Sequence, residues 1–185
     1  MDLEILYWIQ NYLRHDFSDA VMPFITTLGD WGFIWLLCGI VLLFIKKYRS
    51  YGIECIAAIA FAGGLVNLVL KPLIDRMRPF VLDPSVPLLL DGPLSSSFPS
   101  GHTAAAFAAV AVICSMPVKL YWKILSLFAA CTVAFSRMYL FFHFPSDVLV
   151  GLIVGLGCGF LCVYLGKKIL PAFPKEGQNE EAKPF

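Results

Sequence analysis

The chain has 185 residues, of which 59% are hydrophobic and only 15% charged, with a formal net charge of +1. That length suits one domain, and the composition is far more apolar than a soluble globular domain needs. The near-neutral charge gives no reason to expect nucleic acid or an acidic macromolecule as partner, and the long apolar blocks point to a membrane protein.

In chain order, the first thirty residues are the least regular. Leu3 to Leu13 is apolar on one face, with Glu4, Gln10, Asn11 and Arg14 interspersed, and Asp16 to Leu28 is a second short apolar piece containing Pro23. Together they read as one broken span or as an interfacial helix plus a half-span. The acidic start, Asp2 and Glu4, and the lack of an A-x-A site argue against a cleavable signal peptide.

Five clear spans follow: Trp31 to Ile45, Ile53 to Leu70, Thr103 to Met116, Ile124 to Phe135 and Val148 to Leu165. Several fall short of the roughly 20 residues a bilayer needs, so flanking residues must extend them. The expected fold is an all-α polytopic membrane bundle of about six helices. Gly151, Gly155 and Gly159 recur every fourth residue in the last span, a spacing that lets helices approach closely. The alanines from Ala104 to Ala111 predict the same for the third clear span. The six cysteines lie inside apolar blocks and read as small buried side chains. The tail from Pro171 to Phe185 is Pro-rich and charged and reads as disordered, leaving residues 1–170 as the folded domain.

Basic residues orient the chain. Lys46, Lys47 and Arg49, then Lys119 and Lys123, then Lys167 and Lys168 all fall on one side if the spans alternate. By the positive-inside rule that side, with the C-terminus, is cytoplasmic. Loops 72–100 and 136–147 then face away from the cytoplasm.

Those outer loops carry ionisable residues in three groups, and charge near membrane depth is costly enough to mark candidate sites. In "KPLIDRMRP" (71–79), Lys71 and Arg78 are seven residues apart, close to two helical turns, and Pro72 predicts a bend at Lys71. Both cations suit a phosphate. Asp75 and Arg76 read as ion-pair partners or surface residues. In "SSSFPSGH" (95–102), Ser100 is a good N-cap and Gly101 lets a ligand approach a helix N-terminus, where free N–H groups bind anions. His102 in the first turn is placed to give a proton to a leaving group. In "SRMYLFFHFPSD" (136–147), Arg137 ends a span and Asp147 stands four residues after His143, a spacing at which the carboxylate can fix the imidazole tautomer. Such a histidine can serve as base, metal ligand or nucleophile. Three cations match a phosphoryl group whose charge is spread over three oxygens, and one histidine can attack while the other protonates the departing oxygen. A serine hydrolase fits poorly, because Phe98 breaks the G-x-S-x-G elbow. A non-catalytic phosphate or lipid carrier would have no use for the paired histidines.

Lys-x6-Arg-Pro, Pro-Ser-Gly-His and Ser-Arg-x5-His-x3-Asp, in this order, resemble the type 2 phosphatidic acid phosphatase (PAP2) superfamily. The resemblance implies a metal-independent hydrolase with a six-helix membrane core and no cofactor. It implies His143 as the nucleophile that becomes phosphohistidine, Asp147 as its orienting carboxylate and His102 as general acid. Lys71, Arg78, Ser100, Gly101 and Arg137 would bind the phosphate. Small bacterial members with an outward-facing site dephosphorylate undecaprenyl pyrophosphate, phosphatidylglycerophosphate or phosphatidic acid. Placement outside the cytoplasm favours the first, in the plasma membrane. Loop 80–94 is apolar enough to dip into the interface and gate lipid entry.

Overall fold

The computed structural model describes residues 1–170; the expected disordered tail lies outside the described residues. Among these residues there are helices and no strands: α1 (Asp2–Tyr12), α2 (Asp16–Leu28), α3 (Phe33–Phe44), α4 (Arg49–Gly64), the short α5 (Lys71–Ile74) and α6 (Pro79–Leu82), α7 (Gly101–Ser115), α8 (Leu120–Tyr139) and α9 (Pro145–Ile169). Each of the five expected spans is helical, with ends a few residues from those read in sequence.

Helix α7 is the centre, and every residue from Thr103 to Ile113 is buried. A helix apolar on all sides is stable only when neighbours cover all sides, and α4, α8 and α9 do so here. Small residues set the distance between α7 and α9. A methyl group at Gly151 would stand 2.6 Å from the Ser100 carbonyl oxygen, and one at Gly159 would stand 2.5 Å from that of Ala108. At Gly155 it would collide with the Ala104 carbonyl. The two helices therefore run parallel with backbones nearly touching, as the four-residue spacing predicts.

Among the described residues, two stretches are long and apolar enough to cross a membrane, Lys46–Leu82 and Pro145–Ile169. Helices α2 and α3, bent by 47° at the intervening break, make a third if taken as one span. The break thus joins α2 to the first clear span, rather than to α1. At that break Trp31 (φ 56°) and Gly32 (φ 72°) both adopt left-handed backbone. Helix α1 stands apart. Its buried Leu6 and Ile9 pack on Tyr139, Leu140, Phe141, Phe142 and Phe144 in the α8–α9 connection.

Two expectations are corrected. The bend at Lys71 is absent: α4 continues through a π-helical stretch, Leu65–Leu70, into α5. The wider π turn accommodates Pro72 without a break. The helix stops instead at Asp75, in left-handed backbone (φ 41°). Arg78 is therefore extended, and does not share a helical face with Lys71. Among the cysteines, Cys131 is exposed on α8, while Cys55 and Cys158 are buried.

Candidate active site

One end of the bundle holds a cavity of about 610 Å³, lined by Lys71, Arg78, Gly101, His102, Arg137 and His143 among others. All three motifs thus meet in one space, within the usual size range of ligand sites.

The loop before α7 is stitched to the Lys71–Arg78 segment. Lys71 Nζ donates to Ser95 Oγ at 3.0 Å, and Arg78 Nη2 donates to the same oxygen at 3.2 Å. Arg78 Nε donates to the Ser95 carbonyl at 2.7 Å, and Ser96 Oγ to the Lys71 carbonyl at 3.1 Å. The two cations therefore converge through a shared serine, with no common helix face involved. Ser100 caps α7, its fully buried hydroxyl accepting from Thr103 Oγ1 at 3.0 Å. Its backbone N–H donates to the Asp147 carbonyl at 3.0 Å, which locks the start of α7 to α9.

His143 is held by a tight return of the chain. Phe141 takes a positive φ of 60°, costly for a bulky residue, and the N–H groups of Phe142 and His143 both donate to the Arg137 carbonyl. The imidazole is 2% exposed. Arg78 Nη1 lies 3.3 Å from Nε2, and Nδ1 lies 3.6 Å from Asp147 Oδ2. The arginine can only donate, so Nε2 carries the lone pair and Nδ1 the hydrogen. The Nδ1–carboxylate distance is too long for a hydrogen bond, though within reach of tightening when a ligand binds. Burial, reinforced by Arg137 and Arg78 against the opposing pull of Asp147, pushes the imidazole well below its ordinary range. It is neutral and able to attack.

Asp147 is fully buried and saturated with donors. Ser97 Oγ donates to Oδ2 at 2.5 Å, the Phe144 N–H to Oδ2 at 2.9 Å, and Arg76 Nη1 to Oδ1 at 2.7 Å. Arg76 also lies 3.9 Å over the Phe144 ring and donates to Asp2 Oδ2 at 2.9 Å. Arg137 is nearly buried, donates to Thr26 Oγ1, and keeps an unpartnered Nε. His102 pairs through Nε2 with Asp30 Oδ1 at 2.8 Å.

All eight expected residues thus belong to this end of the bundle. Sequence reasoning read Arg76 only as an ion-pair partner or surface residue, and passed over Ser97, Thr26 and Asp30. A signal for Arg76 existed: Arg76 and Arg78 alternate with Met77, which is 64% exposed, as inward and outward positions of an extended segment do. Ser97 sits in a serine run whose members look alike. Thr26 and Asp30 lie far upstream and carry no motif.

The profile of the PAP2 superfamily matches residues 52–170. The chain is 30% identical over 161 residues to an undecaprenyl-diphosphatase of Sulfolobus acidocaldarius, covering 86% of this chain and 76% of that one. It is 34% identical over 167 residues to phosphatidylglycerophosphatase B of Bacillus subtilis, covering 85% and 79%. Among solved structures, Aquifex aeolicus LpxE superposes with a TM-score of 0.71 at 30% identity, covering 88% of this chain and 94% of that one. The three motifs, the all-helical bundle and these likenesses agree: the chain belongs to the PAP2 superfamily and is a membrane-associated phosphatase.

Proposed function

We propose that the protein removes a phosphate from a lipid phosphate or pyrophosphate, with undecaprenyl pyrophosphate favoured, through a phosphohistidine on His143. The observation that carries this reading is the imidazole's placement: Nε2 faces Arg78 and the cavity, and Nδ1 faces a buried carboxylate.

In this reading Lys71, Arg78, Arg137, Ser100 and the free N–H groups at the start of α7 hold the phosphoryl oxygens. Arg78 moves its donor from Nε2 to the phosphate. Nε2 attacks phosphorus, and Asp147 stabilises the positive charge that develops on the ring. The bond from phosphorus to the leaving oxygen, the lipid's own in a monoester and the bridging oxygen in a pyrophosphate, breaks as His102 delivers a proton to it. Water then attacks the phosphohistidine, gives its proton to His102 and restores Nε2. Side-chain cations supply the charge neutralisation, which supports turnover without added metal.

The basic clusters Lys46–Lys47–Arg49, Lys119–Lys123 and Lys167–Lys168 support a site on the non-cytoplasmic face of the plasma membrane, with the C-terminus inside. The likeness to phosphatidylglycerophosphatase B favours phosphatidylglycerophosphate as a second candidate. Loop residues Leu90, Asp91 and Pro93 line the cavity, which supports the loop as the lipid's entry rim.

The test is phosphate release by detergent-purified protein in EDTA from undecaprenyl pyrophosphate, phosphatidylglycerophosphate and phosphatidic acid. Fastest turnover of undecaprenyl pyrophosphate, inhibited by vanadate, is expected. Faster turnover of another lipid reassigns the substrate, and no release from any overturns the reading.

A further inference from the structure

His102 sits among cations. Lys71, Arg78 and Arg137 line the same cavity, and each opposes a positive charge on the imidazole. Asp147 is committed to Arg76, Ser97 and the Phe144 N–H on the His143 side. Asp91 also lines the cavity but makes no hydrogen bond or ion pair with His102 among the described residues. Among the described residues, the one carboxylate in contact with His102 is Asp30, 2.8 Å from Nε2 and about half exposed.

The backbone around Asp30 is arranged for that contact. Gly29 lets the turn press against α7 and α8: a methyl group there would stand 3.1 Å from His102 Cδ2 and 2.9 Å from Val133 Cγ1. Immediately after Asp30, Trp31 and Gly32 both hold left-handed conformations, and Trp31 is 96% exposed. Trp31 also lines the cavity, and the reversal at Trp31 and Gly32 follows directly on the residue that meets His102. Backbone strain of this kind concentrates at functional sites.

We propose that Asp30 is a positioning residue for His102, and that it opposes loss of the general acid's proton inside a cationic pocket. The carboxylate accepts the Nε2 hydrogen, which assigns Nδ1, without a partner among the described residues, to the leaving group. The inference rests on the proposed role of His102 and adds its proton source. As the bond from phosphorus to the leaving oxygen breaks and the bond to His143 Nε2 forms, the His102 Nδ1 proton moves to that oxygen. His102 becomes neutral, and the attacking water reprotonates it.

The experiment compares wild type, Asp30→Asn and Asp30→Glu on two phosphate monoesters, phosphatidic acid and p-nitrophenyl phosphate. The first leaves as an alkoxide that needs a proton; the second leaves as a stable phenolate that does not. First-turnover rates and the pH profile of kcat/KM are read, with thermal unfolding in detergent as the folding control. Asp30→Asn is expected to lose about 10- to 100-fold on phosphatidic acid, and this loss shrinks to a few-fold on p-nitrophenyl phosphate. The alkaline limb of the profile moves to lower pH by about one unit or more. Asp30→Glu recovers most of both effects. Equal loss on both esters with an unmoved pH limb, or undiminished activity in Asp30→Asn, overturns the role of Asp30 while leaving the phosphatase reading intact. If Asp30→Asn does not fold, a wild-type-like pH limb in Asp30→Glu together with preference for the phenyl ester unchanged from wild type supports the proposal; collapse of Asp30→Glu on both esters alike contradicts it. Wild type inactive on both esters and on undecaprenyl pyrophosphate as well would overturn the underlying reading.

Discussion

The two histidines of the site are held in opposite ways. His143 is 2% exposed, lies in a strained return of the chain, and backs onto a fully buried carboxylate with donors from three directions. His102 stands in the first turn of α7, part-exposed, beside one half-exposed carboxylate from a distant turn. Rigid burial suits a group that must attack along a fixed line. Partial exposure suits a group that must lose and regain a proton. In the proposed mechanism the difference separates attack from proton supply, as two tasks assigned to two histidines.

Substitutions can break this division. The largest effect expected is from His143→Ala, which removes the proposed attacking atom and should abolish phosphate release, a fall of about 10⁴-fold or more. Residual activity within tenfold of wild type would break the division outright. Next is Arg76→Ala. It frees Asp147 from its strongest donor and from the tie to Asp2 at the start of α1. A loss of up to about 10²-fold in kcat with little change in KM is expected, and Arg76→Lys should recover part of it. An effect confined to KM would place Arg76 on the substrate instead.

Gly155→Leu tests the frame beneath both histidines. The side chain would meet the Ala104 carbonyl and Phe107, so a loss of about 1–3 kcal/mol or more is expected from thermal unfolding in detergent. Stability equal to wild type would show that α7 and α9 are less closely packed than described. The smallest effect concerns pH. His143 is held neutral in the folded protein by burial, whereas in the unfolded chain it takes up a proton near pH 6.5. The unfolded state thus binds more protons below that point, and stability should fall as pH drops from about 6.5. His143→Gln should show a shallower decline over the same range, and an identical decline would assign the acid sensitivity elsewhere.

How far the sequence revealed this architecture depends on what sets each feature. Gly151, Gly155 and Gly159 announce their packing because a steric rule links their spacing to a helix face, and the predicted contacts with α7 are present. Lys71, Arg78, His102, Arg137, His143 and Asp147 stand out because charge at membrane depth has few other uses. The path between Lys71 and Arg78 was not legible. Proline alone suggests a bend, but a π-helical stretch that no residue pattern announces takes up the strain. Arg76 was legible only as a partner of something, since its carboxylates are 74 and 71 residues away. Asp30 was hidden for the same reason, 72 residues from His102 and next to a turn whose left-handed tryptophan breaks the usual preference for glycine.

The central claim is that His143 carries the phosphoryl group. Rapid acid-free quenching of wild-type protein with radiophosphorus-labelled phosphatidic acid, followed by peptide mapping, tests it directly. The account predicts a phosphoenzyme that is stable in alkali, labile in acid, located on His143 and absent from His143→Ala. Label retained in His143→Ala, or stable in acid on a serine such as Ser100, would contradict it.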